Sequence, residues 1–490
     1  MSIFEWKTSS FSEQETAGKW TVFGITSLGI FMVTLDTSIV NISLPKISYY
    51  FQVPLSGMVE WVIIAYLMVI ASSLLTLGRL SDIIGRKTVW LTGLAAFTAG
   101  SALCGAAPSL LFLVISRAFQ GIGGAMMMAV SPAMITHAFP ARERGKGLGL
   151  FGSVVAIGTS AGPTLGGIIT QAFSWSWIFY INVPIGIMAI IATIRSLKEP
   201  VRITGAKKRF DPIGATILSI SMTLLMLAMT FGQEAGWASV QITGLFVAAA
   251  VLLAAFVLVE RRVAHPIVDL SIFRNRLFSA ALISSFLSFL SLFAVMFLMP
   301  FCLEELLSFQ PGKAGLILTA VPVTMTLVAP VSGWLSDRFG SQVLSSIGLG
   351  IASAALFFLS RLTQHATLHG IIWPLVLAGL GQAVFQFPNN NAIMSSVPEN
   401  RIGIGSGFLA TVRVLGQGFS VALASAIFTS LGGAQAGALL ARNTGQPDVS
   451  LQNSFIHAFH AALLTCMMIA SIGVFTSLAR GQSRPIKTQD

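Results

Sequence analysis

Gly78-Arg79-Leu80-Ser81-Asp82-Ile83-Ile84-Gly85 recurs later in the chain as Gly333-Trp334-Leu335-Ser336-Asp337-Arg338-Phe339-Gly340. The two glycines and the Leu-Ser-Asp triplet keep their spacing in both copies. Each copy adjoins an apolar stretch, 58–77 for the first and 313–335 for the second. A duplicated turn at the end of a duplicated apolar stretch points to two halves related in parallel. Asp82 stands where it can accept hydrogen bonds from the start of the next helix, with Arg86 and Lys87 held at the lipid headgroups. Each copy reads either as a plain turn or, because it repeats, as a conformational latch.

Outward from this repeat, the chain is apolar almost throughout. Of its 490 residues 54% are hydrophobic and 10% are charged, against about 25% charged in an ordinary soluble domain. That excludes a cytosolic enzyme, a disordered protein and a conventional nucleic-acid binder. A spanning helix needs about 20 mostly apolar residues, and fourteen such stretches run from 20–42 to 456–479. They do not alternate apolar and polar residues, so they read as helices and not barrel strands. The expected organisation is all-α and polytopic. It comprises an N-terminal segment 1–19, a six-helix bundle 20–197, a linker with an inserted helical hairpin 198–276, a second six-helix bundle 277–479 and a tail 480–490.

The net charge of +11 raises the question of a nucleic-acid partner, and the position of the charges answers it. Most of the 29 Lys and Arg fall in segments on the side of the N-terminus. Lys46, Lys313, Arg361 and Arg442 fall on the other side. This bias places both termini in the cytoplasm. The basic balance therefore reports orientation in a bilayer, and no nucleic acid is implied. Cys104, Cys302 and Cys466 are odd in number and lack metal-ligand spacing, so no disulfide framework is expected.

Two basic residues stay inside spans, Arg117 and Arg413, and so does Asp36. Asp36 lies roughly 10 Å and Arg117 roughly 12 Å below the outer ends of their spans at the helical rise, so the two can meet. A lone charge at mid-membrane costs about 3 kcal/mol or more. The pair is either a fixed ion pair between helices or a protonation switch. Arg413 lies near the midplane and suits an anionic group, a distant carboxylate or a purely structural contact. Glu304 and Glu305 are expected to be solvated charges at the outer end of span 9, or to attract cations at the outer mouth. His457 and His460 lack a third ligand, and no metal site is assigned.

Gly158, Gly162 and Gly166 share one face of span 5 and allow close approach of another backbone, while Pro163 removes one helical hydrogen bond; Gly167 follows. This reads equally as generic packing or as a rocking interface. Asn41, Gln120, Met127, Glu304, Phe385, Asn389 and Arg413 are candidates for lining a substrate cavity, since Met and aromatic side chains repack around varied ligands.

Together these motifs resemble the major facilitator superfamily, specifically its fourteen-helix drug:proton antiporters of bacteria. Gly78–Lys87 is similar to motif A, Leu35–Pro45 to the span-1 motif, Arg117–Ala125 to motif B and Gly158–Gly167 to the antiporter motif C. Trp175–Gly186 is similar to a further motif, and the region around Phe385–Asn390 and Arg413–Gln417 to the exporters of quaternary ammonium compounds. The resemblance implies alternating access of two bundles, with proton entry exchanged for export of amphipathic, cationic compounds. Asp36 and Arg117 inherit proton coupling. Gly78, Asp82, Gly85, Arg86, Lys87 and Asp337 inherit gating, and the motif C residues the span-5 interface. It implies no cofactor beyond the proton gradient, no enzymatic chemistry, and small molecules, protons and the bilayer as partners of a monomer. The same motifs are compatible with export of an endogenous metabolite.

Overall fold

The computed structural model describes residues 18–53, 58–140, 143–197, 211–232, 235–263, 270–397, 402–442 and 449–480, apart from a few side chains. All regular structure among them is helical. Without water in a bilayer core, each backbone amide must be satisfied within its own segment, which an apolar helix achieves.

The first half comprises α1 (Lys19–Phe51), α2 (Trp61–Ile84), α3 (Arg86–Gly105), α4 (Leu110–Ala138), α5 (Arg144–Ala172), the short α6 (Trp177–Tyr180) and α7 (Asn182–Ser196). The hairpin α8 (Pro212–Phe231) and α9 (Val240–Glu260) follows. The second half comprises α10 (Arg276–Phe301), α11 (Pro311–Leu318), α12 (Ala320–Phe339), α13 (Ser341–Leu359), α14 (Leu368–Ser395), α15 (Ile402–Ser430), α16 (Gly433–Arg442) and α17 (Val449–Ala479). Fourteen segments are long and apolar enough to cross a membrane; α6 with α7 makes one, and α11 with α12 another. We call the side on which α1 begins the near face and the opposite side the far face.

Side-chain caps fix several helix starts. Asp211 accepts from the amides of Ile213 and Gly214 ahead of α8, where Pro212 takes the first helical position. Asn275 caps α10 and Thr367 caps α14 in the same way. Such caps satisfy amides that the helix itself leaves unbonded.

In the first half α1 packs on α5, α2 on α4, and α4 on α3. In the second, α10 packs on α15 and α17, while α13 packs on α14 and α17. Two main seams join the halves, α2 against α15 and α5 against α11 and α12, and α1 also packs on α10. The inserted hairpin lies along the first seam. Its α8 touches both α2 and α15, and Ser219 donates to the Ser72 carbonyl at 2.8 Å.

The repeated motif differs from a loop. Both copies stay helical until a single glycine, Gly85 between α2 and α3 and Gly340 between α12 and α13. These glycines have φ of 103° and 85°, conformations that any side chain would strain. The helices run on because nothing before the glycine breaks them. Asp82 and Asp337 therefore occupy last helical turns; their side chains lie outside the described ones.

Candidate functional site

Asp36 on α1 is 0% exposed and Arg117 on α4 is 1% exposed. Arg117 donates to Asp36 Oδ2 at 2.5 Å. The other oxygen, Oδ1, accepts from Gln120 Nε2 at 2.9 Å and from Asn182 Nδ2 on α7 at 3.1 Å. Arg117 also donates to the Val62 carbonyl on α2 at 2.8 Å and to Gln120 Oε1 at 2.6 Å. Gln120 closes the cluster by donating to Ser101 on α3 at 2.8 Å. The Tyr66 ring centre lies 4.1 Å from the guanidinium carbon. One carboxylate thus ties together α1, α4 and α7, and its arginine reaches α2.

The energetics explain the density of contacts. A buried ion pair offsets its desolvation only when further hydrogen bonds satisfy both groups. Protonating Asp36 would remove its charge and leave Arg117 an unbalanced cation in an apolar interior.

The glycines of α5 face two partners. A Cβ at Gly158 would lie 2.1 Å from Thr34 Oγ1, and one at Gly162 1.8 Å from Ser38 Oγ. Gly166 meets Ile42 and Ile39 in the same way, so this face holds α5 on α1. Gly167 faces across the seam, where a Cβ would lie 2.3 Å from the Pro311 carbonyl oxygen. From the other side, a Cβ at Gly315 would lie 2.1 Å from the Pro163 carbonyl oxygen. Gln171 donates to Gln310 at 2.8 Å and accepts from the Gly312 amide at 3.1 Å, and the Thr164 and Thr319 hydroxyls bond to each other. At the far end of the other seam the Ser425 hydroxyl donates to Glu60. Nearer the near face Leu327 on α12 is 71% exposed and Ile157 on α5 is 54% exposed, Ile157 beside α1 residues Gly24, Leu28 and Phe31. The halves are closed at the far face.

The remaining candidates are spread through the molecule. Gln120 belongs to the Asp36 cluster and does not line an open cavity. Met127 is fully buried, against Gly29 and Gly93. Phe385 is buried in the second half, where its amide lies against Gly348. Asn389 donates to the Ala281 carbonyl at 3.0 Å and accepts from Arg480 at 2.7 Å, so its amide is used in structure. Arg480 is 2% exposed, and burial pushes its guanidinium down to about 10. It remains charged at neutral pH, bonded also to the Ser341 carbonyl at the start of α13. Asn41 is buried with Oδ1 unpartnered. Arg86 donates to the Ala133 carbonyl at 3.3 Å, while Gly78 and Lys87 sit partly exposed at that end of α2 and α3.

Glu304 and Glu305 depart from the expectation of solvated loop charges. They lie in a π-helical turn, Cys302–Leu306, that continues α10. Glu305 is buried, and each carboxyl keeps one oxygen without a partner.

Asn182, Ser101, Gly315 and Gln171 were not singled out from sequence. Asn182 sits within the Trp175–Gly186 stretch, and a lone amide opening an apolar helix was its only signal.

Comparison with known proteins adds the lineage. The Major Facilitator Superfamily pattern matches residues 26–421 and again 281–479. The chain belongs to the major facilitator superfamily. Superfamily relatives include the riboflavin transporter RibZ of Clostridioides difficile, 37% identical over 84% of this chain and 88% of that protein. The multidrug resistance protein Stp of Mycobacterium tuberculosis is 33% identical over 81% of this chain and 74% of its own length. A tetracenomycin C resistance and export protein of Streptomyces glaucescens is 30% identical over 84% and 76%. Among solved structures, a bacterial homologue of the human lysosomal transporter Spinster, inward-facing and unoccupied, superposes with a TM-score of 0.67 at 15% identity, covering 94% of this chain and 96% of that one. That likeness speaks to fold alone. The relatives are transporters and not enzymes, and this superfamily member is a multi-pass membrane transporter of small molecules.

Proposed function

We propose that the chain is a proton-coupled exporter of amphipathic compounds that works by alternating access. The observation that carries this reading is the sealed Asp36–Arg117–Gln120–Asn182 cluster. A single ionisable carboxylate there joins α1, α4 and α7, and an intramembrane acid is functional by default. Proton arrival would release α1 from α4 and α7, and α1 carries α5 with it through the glycine face. Since α5 forms one seam with the second half, a change at Asp36 reaches the far closure. The positive-inside bias sets the near face in the cytoplasm, so in this conformation compounds would enter from the cytoplasmic side of the cell membrane. The monomer holds every part of this path.

Cations gain little from Asp36 in this state, because Arg117 already neutralises it. The expected preference for cationic compounds would have to arise once the pair separates. A second reading, transport of an endogenous metabolite, is favoured by the similarity to a riboflavin transporter.

Asp36→Asn in everted vesicles tests the coupling. The variant is expected to lose at least tenfold of the ΔpH-driven accumulation of a fluorescent drug. Unchanged accumulation with unchanged proton coupling would remove Asp36 from this role.

A further inference from the structure

Arg413 lies within α15, roughly 16 Å from the near end at the helical rise. Its guanidinium carbon stands 5.5 Å from the centre of the Phe289 ring on α10. Gly416 brings α10 close, since a Cβ there would lie 2.8 Å from Phe289 Cβ. Phe286, one turn before Phe289, is partly exposed and packs edge-on against Phe419 at 5.8 Å. Arg413 itself is partly exposed, yet its Nε is buried without a hydrogen-bond partner. Among the described residues, no carboxylate and no hydrogen-bond acceptor pairs with it.

The contrast with the two buried arginines decides the matter. Arg117 has a carboxylate, a carbonyl and an amide; Arg480 has an amide and a carbonyl. Arg413 has one aromatic ring. An unpaired charge at this depth is costly, and a guanidinium is a planar fork that matches a carboxylate with two parallel bonds. The partner that fits is therefore brought from outside the chain. Neighbours on α2 fix the level: Gly418 lies against Leu67 and Gly407 against Leu75. Arg413, between them, stands about 10 Å nearer the near face than the Asp36 cluster beside Val62 and Tyr66. It is thus separate from the proton site, on α15 beside the α2–α15 seam.

We propose that Arg413 binds the carboxylate of a transported aromatic anion, whose ring system lies along Phe286 and Phe289. This rests on reading the chain as an exporter of small molecules. Substrate charge and the coupling proton are then handled by different arginines, Arg413 for the anion and Arg117 for Asp36.

Fluorescence titration of the purified full-length protein with naphthoate, and with uncharged naphthamide, tests it. Wild type is expected to bind naphthoate at least tenfold more tightly than naphthamide. Arg413→Gln is expected to lose that preference while still binding naphthamide, and Arg413→Lys to keep part of it. Equal binding of the two probes by wild type overturns the proposal. So does an undiminished preference in Arg413→Gln, or an equal loss of both probes in Arg413→Gln and Arg413→Lys. Proton-driven export is read separately in vesicles. A lost ΔpH dependence with the naphthoate preference intact would fail the exporter reading and leave this site standing; drug export without the preference would do the reverse.

Discussion

Asp36 accepts from three donors, and the whole cluster depends on both charges being present. Removing one charge leaves the other buried and unpaired, at a cost of about 3–5 kcal/mol. Arg117→Ala is therefore expected to lower the melting temperature of the purified protein more than the double variant Arg117→Ala/Asp36→Asn does. Equal or greater damage in the double variant would mean that the pair does not act as a unit. At this scale the charges were legible and their partners were not. Asp36 and Arg117 stand out in sequence because an ionisable residue in an apolar run is rare. Gln120 and Asn182 are neutral amides, common at helix contacts, and only three-dimensional placement reveals that they complete the carboxylate. Arg480 shows the opposite error. It reads as one more basic residue at the near face, yet it is spent on Asn389 and Ser341, which is why Asn389 is not free to line a cavity. Arg480→Gln is expected to cost about 1–3 kcal/mol of stability through those unmet groups, with proton coupling unchanged in vesicles.

Among the elements, α5 carries the argument. Its glycine spacing announced a close approach but not which helix approaches, because every face of an apolar helix looks alike in sequence. The structure gives one face to α1 and the next residue to α11. Gly162→Ala would force Ser38 and the backbone at Ile39 to shift, an overpacking cost of about 1–3 kcal/mol. Gly315→Ala meets the backbone of the other half at Pro163 and should hold the far end of the seam apart. It is expected to stop transport while leaving the fold intact and raising thiol labelling of a cysteine placed at Gln310. Gly350→Ala, with open space around it, is the control expected to change neither. Transport at wild-type rate in Gly315→Ala would mean that closure of this seam is not needed. The π-helical turn at Cys302–Leu306 was illegible for a related reason: it packs against α11 and α16, partners that lie elsewhere in the sequence.

Across the whole molecule, the duplicated Leu-Ser-Asp motif and the fourteen apolar stretches were enough to give two halves and a hairpin. The side of the hairpin was not readable, and neither was the conformational state, since both depend on contacts between halves. The charge distribution still makes an orientation claim. A protease site placed after the last residue is expected to be cut in everted vesicles and protected in intact cells; the reverse pattern would invert the proposed direction of transport. The coupling claim is tested most directly with the purified protein in proteoliposomes, following lumenal pH and drug uptake together under an imposed proton gradient. Wild type should move protons down the gradient only while drug moves in exchange, and Asp36→Asn should abolish this linked proton flux. Drug-driven proton flux persisting in Asp36→Asn, or wild-type drug uptake with no proton movement, would contradict the role given to the Asp36 cluster.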